Sequence, residues 1–118
     1  MSNQVKRVIS REFTVTAVAA GTSVTNILGG KSHRGYIRQV IARASTAGGT
    51  SVDLELRLVA ASDLAENLIY QNNTASYPLI DLVNAPFDTY IGDGDLTLYV
   101  EPQADGVIEI RIDFEILE

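Results

Sequence analysis

The chain has 118 residues, 46% of them hydrophobic and 20% charged, with no cysteine, no tryptophan and a net charge of −6. Such a length fits one domain of roughly 100–150 residues, which buries roughly two-thirds of its unfolded surface and folds without a metal or a disulfide. The missing cysteine excludes a disulfide scaffold, a thiolate zinc site and a cysteine nucleophile. The acidic balance argues against a nucleic-acid partner, which calls for a basic face.

The opening Met-Ser-Asn-Gln-Val-Lys-Arg lacks the apolar core of a signal peptide. No stretch approaches the roughly 20 apolar residues of a membrane helix. The expectation is a soluble protein made in a cytoplasm, with no membrane partner. Charge is unevenly placed: residues 1–44 set seven cations against Glu12 alone, and residues 45–118 set Arg57 and Arg111 against fourteen acids. Either a basic surface meets an acidic one on a neighbouring subunit, or interleaved strands mix the charges within one molecule.

In chain order, residues 1–10 are polar and basic and read as an N-terminal arm, ahead of a sandwich domain over 11–118. From Arg11 to Ala19, Phe13, Val15, Ala17 and Ala19 alternate with polar residues, which predicts a strand. Ala20-Gly21 turns into a short strand over Ser23–Leu28, and Gly29–Gly35 is a loop. Tyr36–Ala44 is a strand with partly apolar residues on both parities, as a strand covered on both sides would have. Ser45–Thr50 is a hairpin connection. Ser51–Ala60 alternates cleanly, with Val52, Leu54, Leu56, Leu58 and Ala60 on one side.

Ser62–Asn67 reads as one helical turn capped by Ser62, Leu68–Gln71 as strand and Asn72–Ser76 as a turn. Tyr77–Tyr90 is dense in apolar groups without strict alternation, and Pro78 and Pro86 bar it from a long central strand. Two readings fit this stretch, core and subunit contact. After Gly92-Asp93-Gly94, Leu96, Leu98 and Val100 alternate as strand, and Asp105-Gly106 makes the last turn. In the closing stretch Ile108, Ile110, Ile112, Phe114 and Ile116 share one side, and Glu109, Arg111, Asp113 and Glu115 the other. This period of two belongs to a strand and not to a helix, and β-branched isoleucine favours it. The sum is an all-β chain of about eight strands: a single antiparallel β-sandwich or barrel of two facing sheets. With jelly-roll connections its opening and closing strands lie side by side.

The search for chemistry yields weak candidates. His33 is the single histidine, in a glycine-bounded loop, with no nucleophile elbow to serve it. Asp88, Asp93 and Asp95 surround Gly92 and Gly94 and offer oxygens to a hard cation, but the calcium-loop spacing is missing, and turn-forming aspartates explain them. Asp53, Glu55, Glu109, Asp113 and Glu115 supply carboxylates such as glycosidases pair; interleaved with Arg57 and Arg111, they read better as charge-paired solvated surface. Gly29-Gly30-Lys31-Ser32 matches only the end of a phosphate-binding loop, with no helix after it. Tyr36, Tyr70, Tyr77, Tyr90 and Tyr99 are the possible sugar-stacking rings. No catalytic, cofactor-binding or metal-ligating residue is assigned, no cofactor is expected, and the chain is expected not to be an enzyme.

The order of segments suggests a relationship. Arg34–Ile41 is followed by Gly48–Arg57, an Asn-rich turn, Ala85-Pro86-Phe87 and a closing Leu96–Pro102. This series over about residues 11–117 resembles the small jelly-roll structural proteins of tailed-bacteriophage virions, the head decoration or cement proteins and the β-sandwich domains of tails and fibres. The resemblance implies a virion protein that oligomerises, a trimer foremost, binds other capsid or tail proteins, and is assembled in the host cytoplasm. It is one of architecture, so no site residue carries over. The alternative is a carbohydrate-binding or host-recognition sandwich of a tail or fibre. An enzyme of cupin type would need more than one histidine in its usual metal site.

Overall fold

The closing alternation sets the layers. In the computed structural model, which describes residues 6–25, 27–28, 33–58, 68–88 and 96–117, Gly106–Leu117 forms the eighth and last strand. It is preceded by β1 (Lys6–Ala17), β2 (Thr22–Val24), β3 (Arg34–Ala47), β4 (Ser51–Arg57), β5 (Leu68–Ser76), β6 (Leu79–Asp88) and β7 (Thr97–Pro102). Ile108, Ile110, Ile112, Phe114 and Ile116 of β8 are all buried, at 2% exposure or less. Burial of side chains of this size stabilises by about 1.5–3 kcal/mol each, so this one strand is a large share of the core.

Two four-stranded antiparallel sheets face each other, in the order β1-β8-β3-β6 and β2-β7-β4-β5. The pairings are nested: β1 with β8, β2 with β7, β3 with β6, β4 with β5. A four-rung antiparallel ribbon folded so that successive rungs fall in alternate sheets gives this order, which is the jelly roll. Val52, Leu54, Leu56, Leu98 and Val100 of the second sheet close over the isoleucines of the first. The all-β sandwich expected from the sequence is the fold.

The boundaries differ where the sequence lacked the pairing partner. Residues 6–10 belong to β1, in register with β8 from Lys6 opposite Leu117, and not to an arm; residues 1–5 lie outside the described residues. β2 is three residues long, and Ile27 and Leu28 follow it as buried turn residues, Ile27 donating its N–H to the Leu96 carbonyl at 3.1 Å. β5 runs on through Asn72–Ser76, expected as a turn. Two amides in the middle of the strand are bound across to other strands, Gln71 to Glu55 at 3.1 Å and Asn72 to Asp81 at 3.1 Å. The helical turn expected over Ser62–Asn67 lies outside the described residues.

β3 is covered by core on one face only. Its mixed parity comes from a bulge at Arg38, between the pairs Ile37–Phe114 and Gln39–Asp113. One extra residue resets the alternation, so Ile37 and Val40 both face the core although three positions apart. Pro86 does sit in a strand, but β6 is an edge strand, where proline is tolerated.

The connections 18–21, 48–50, 77–78 and 103–105 draw together at one end. Gly48 donates its N–H to the Asp105 carbonyl at 3.2 Å, and Ala104 donates to the Gly48 carbonyl at 3.2 Å. Gly48 has φ +77°, and a Cβ there would press on the Ile108 side chain, so both the turn and the core below it call for glycine.

Candidate functional site

The first sheet turns outward what β8 leaves over: Glu109, Arg111, Asp113 and Glu115. Opposite them on β3 stand Arg43, Ile41, Gln39 and Tyr36, with Arg38 in the bulge between the last two. The charges close on one another. Arg38 binds Glu115 Oε2 through Nε and Nη2, both at 3.1 Å, and Asn84 Oδ1 through Nη1 at 2.7 Å. Arg43 binds Glu109. Arg111 forks onto both oxygens of Asp113, at 3.2 and 3.0 Å, and the Ser10 hydroxyl donates to the same carboxylate at 2.6 Å. The Arg111 bond holds the Asp113 carboxyl below the usual carboxylate range, with Ser10 adding to it and partial burial opposing it. A carboxylate stabilised as its anion is the opposite of what a general acid requires.

β1 completes this face. Glu12 and Thr14 of β1, with Ile41, Arg43, Glu109 and Arg111, rim a groove of about 480 Å³. Phe13 and Ile110, paired across β1 and β8 at its floor, pack their side chains into the core. On the other side of Ile41 lies β6. There Ile80 stands opposite Ile41 and Leu82 opposite Gln39, exposed by 65% and 80%. Within the stretch Tyr77–Tyr90, the strand Leu79–Asp88 divides by parity. Leu79, Val83, Ala85 and Phe87 face the core, while Ile80 and Leu82 face solvent. What hid the alternation was Asp81, a charged residue on the inward parity.

Asp81 is held by two donors. The Tyr70 hydroxyl reaches its Oδ2 at 2.8 Å and Asn72 Nδ2 at 3.1 Å, which ties the β5 edge of one sheet to the β6 edge of the other. Burial, followed by the bond to Asp81, raises the Tyr70 pKa. No sequence signal marked this cluster, because Tyr70 and Asp81 meet only when two sheet edges close.

The outer face of the second sheet centres on Arg57. Its guanidinium binds Glu55 Oε2 at 2.8 and 2.6 Å and lies 4.2 Å from the centre of the Tyr99 ring. The Tyr99 hydroxyl donates to Glu101 at 3.1 Å, and its pKa is raised, first by burial and then by that bond. Asp53 stands opposite Glu101 in register. The tyrosines do not form one platform. Tyr36 is on the first sheet with Arg38 stacked on it at 4.6 Å, Tyr99 is on the second, Tyr70 is buried, and Tyr77 is at the β5–β6 corner. Tyr90 lies outside the described residues.

The other expected candidates stay apart. Asp88 is exposed at the end of β6, opposite Arg34, while Asp93 and Asp95 lie outside the described residues. Among the described residues no three of His, Asp and Glu come together as metal ligands would. His33 leads into β3 at a half-buried position. The N-terminal cations do meet the C-terminal acids, but within one molecule: Arg38 and Arg43 of β3 pair with Glu115 and Glu109 of β8. Interleaved strands mix the charges of the two halves.

These features define a jelly-roll β-sandwich with charge-paired outer faces and an apolar stripe at one sheet edge. No protein-family model and no curated protein sequence matches the chain. The solved structure described as "Structure of infectious bursal disease virus Gt strain" superposes on 95% of this chain and 38% of that chain. The identity is 11% and the TM-score 0.27, and a likeness that loose carries no argument about function.

Proposed function

We propose that the chain is a non-enzymatic structural protein of a bacteriophage virion, a capsid decoration or cement protein that self-associates as a homotrimer and stabilises the particle. The observation that carries this reading is how the outer surface is used. On both outer faces arginines bind the carboxylates, at Glu115, Glu109, Asp113 and Glu55, while Ile80 and Leu82 stand exposed. Groups that neutralise one another stiffen a surface, and exposed apolar side chains give it something to dock with. The strand order and the pattern of segments over about residues 11–117 support the same reading. Its partners are further copies and other capsid or tail proteins, met during assembly in the host cytoplasm.

The test is mass spectrometry of purified virions of the encoding phage, followed by a heat challenge of particles lacking the protein. It is expected in many copies per particle, and particles without it are expected to release their DNA at lower temperature. Absence of the protein from purified virions overturns the reading.

A further inference from the structure

β1 falls into two halves that bury very different amounts. From Phe13 to Ala17 the inward side chains anchor it: Phe13 packs against the core, and Val15 and Ala17 are exposed by only 6% and 1%. From Lys6 to Glu12 the ladder to β8 continues without that support. The positions of inward parity there are Arg7, Ile9 and Arg11. Both arginines are exposed, and Ile9 alone packs against the core. On the other parity Val8 is 69% exposed, and the Ser10 hydroxyl donates to Asp113. A segment held by its backbone ladder, with little apolar burial, opens at low cost while the rest of the fold stays closed.

We infer that Lys6–Glu12 is exchanged between copies of this chain: each molecule lays this half of β1 along β8 of a neighbour, in the register it keeps within one molecule. The fold itself specifies the occupant. When the segment lifts away, β8 loses its partner from Leu117 to Arg111. The backbone N–H and C=O groups left along that edge call for another strand. The strand whose side chains already fit, with Ile9 opposite Phe114 and Ser10 opposite Asp113, is the same segment of a second copy. Exchange remakes the bonds it breaks, so it is a low-cost route to association. Charge favours the transfer. Residues 6–12 carry Lys6, Arg7 and Arg11 against Glu12, +2 in all, and the rest of the chain carries −8. The lifted segment is therefore drawn to the acidic body of a neighbour. Seven extended residues reach roughly 23–25 Å, and the molecule measures 25 and 22 Å along its two shorter axes, so a copy lying alongside is within reach. A strand passed on to the next copy makes a head-to-tail contact, the kind that closes a ring of three.

The chain has no cysteine, so introduced thiols report alone. One full-length chain carrying Ser10→Cys and another carrying Asp113→Cys, one of them bearing a mass label, are refolded together and oxidised. These positions face each other across β1 and β8, at a separation a disulfide spans. Exchange sets the two thiols side by side in different chains, so the heterodimer is expected roughly tenfold or more above the chance mixture. Thr16→Cys with Val107→Cys, which face each other in the anchored half, is expected to give the chance mixture. Circular dichroism checks each variant against wild type. Should the first pair fail to fold, Glu12→Cys with Arg111→Cys, facing and both exposed, takes its place with the same expected excess. The inference rests on the self-association proposed above, which analytical ultracentrifugation of the wild type tests by itself. Chance mixtures from a protein that associates overturn the exchange alone. An excess in both mixtures overturns it too, because the strand then moves as a whole. A wild type that stays monomeric overturns both the exchange and the self-association, and leaves membership of the virion to the mass spectrometry.

Discussion

Tyr77 shows what a single hydroxyl can do at the junction of the sheets. Its oxygen is buried and has no hydrogen-bond partner among the described residues, and burial pushes its pKa up from 10.0 to about 12. A group whose pKa is raised on folding contributes stability that is complete below its unfolded pKa and lost as pH climbs through the folded one. For Tyr77 that window runs from pH 10 to about 12. Absorbance titration is expected to show this tyrosine ionising late, with stability falling across the same interval. Tyr77→Phe is expected to remove that late step and to leave urea stability unchanged or higher, because an unsatisfied buried hydroxyl costs about 1–3 kcal/mol. None of this was visible in the sequence, where Tyr77 was one of five tyrosines; which of them lay inside depended on how the sheet edges met.

Legibility was greatest for elements whose environment is uniform. β8 and β4 keep one face in the core and one in solvent, so alternation in their sequences read directly as burial. β3 and β6 were obscured for opposite reasons. β3 gains one residue at Arg38, so Ile37 and Val40 fall on opposite parities though both face the core, and the strand read as covered on both sides. β6 is apolar on both faces, and its inward charge at Asp81 disguised the period. Asn72–Ser76 of β5 read as a turn because the partner of the Asn72 amide, Asp81, lies on another strand. Within these elements, energy concentrates where burial is complete. Phe114 is fully buried and meets Phe87 edge-on, with ring centres 5.6 Å apart and planes at 74°. Phe114→Ala is expected to cost about 3–5 kcal/mol in urea unfolding. Arg43→Ala, at a pair whose side chains are 67% and 38% exposed, is expected to cost less than about 1 kcal/mol by the same measurement.

At the scale of the whole molecule the nested pairing means that almost every stabilising contact joins distant parts of the chain. β1 pairs β8 from Lys6–Leu117 to Ala17–Gly106, nearly the full span of the sequence. Topologies of this kind fold on the order of milliseconds to seconds, because loop entropy is lost before long-range contacts form. Joining residue 117 to residue 6 through a short flexible linker, and opening the chain at the 48–50 turn, makes that pairing local. Such a permutant is expected to keep the β-sheet circular dichroism and to refold faster than the parent in stopped-flow fluorescence.

The same juxtaposition has a practical side. Lys6 and Leu117 leave from one pole of the sandwich, and the four short turns occupy the other. A tag or cargo joined directly to Lys6 would therefore emerge beside one joined to Leu117, while a peptide grafted into the 103–105 turn would point the opposite way. The molecule thus has two addressable ends, and an engineer could load one without crowding the other.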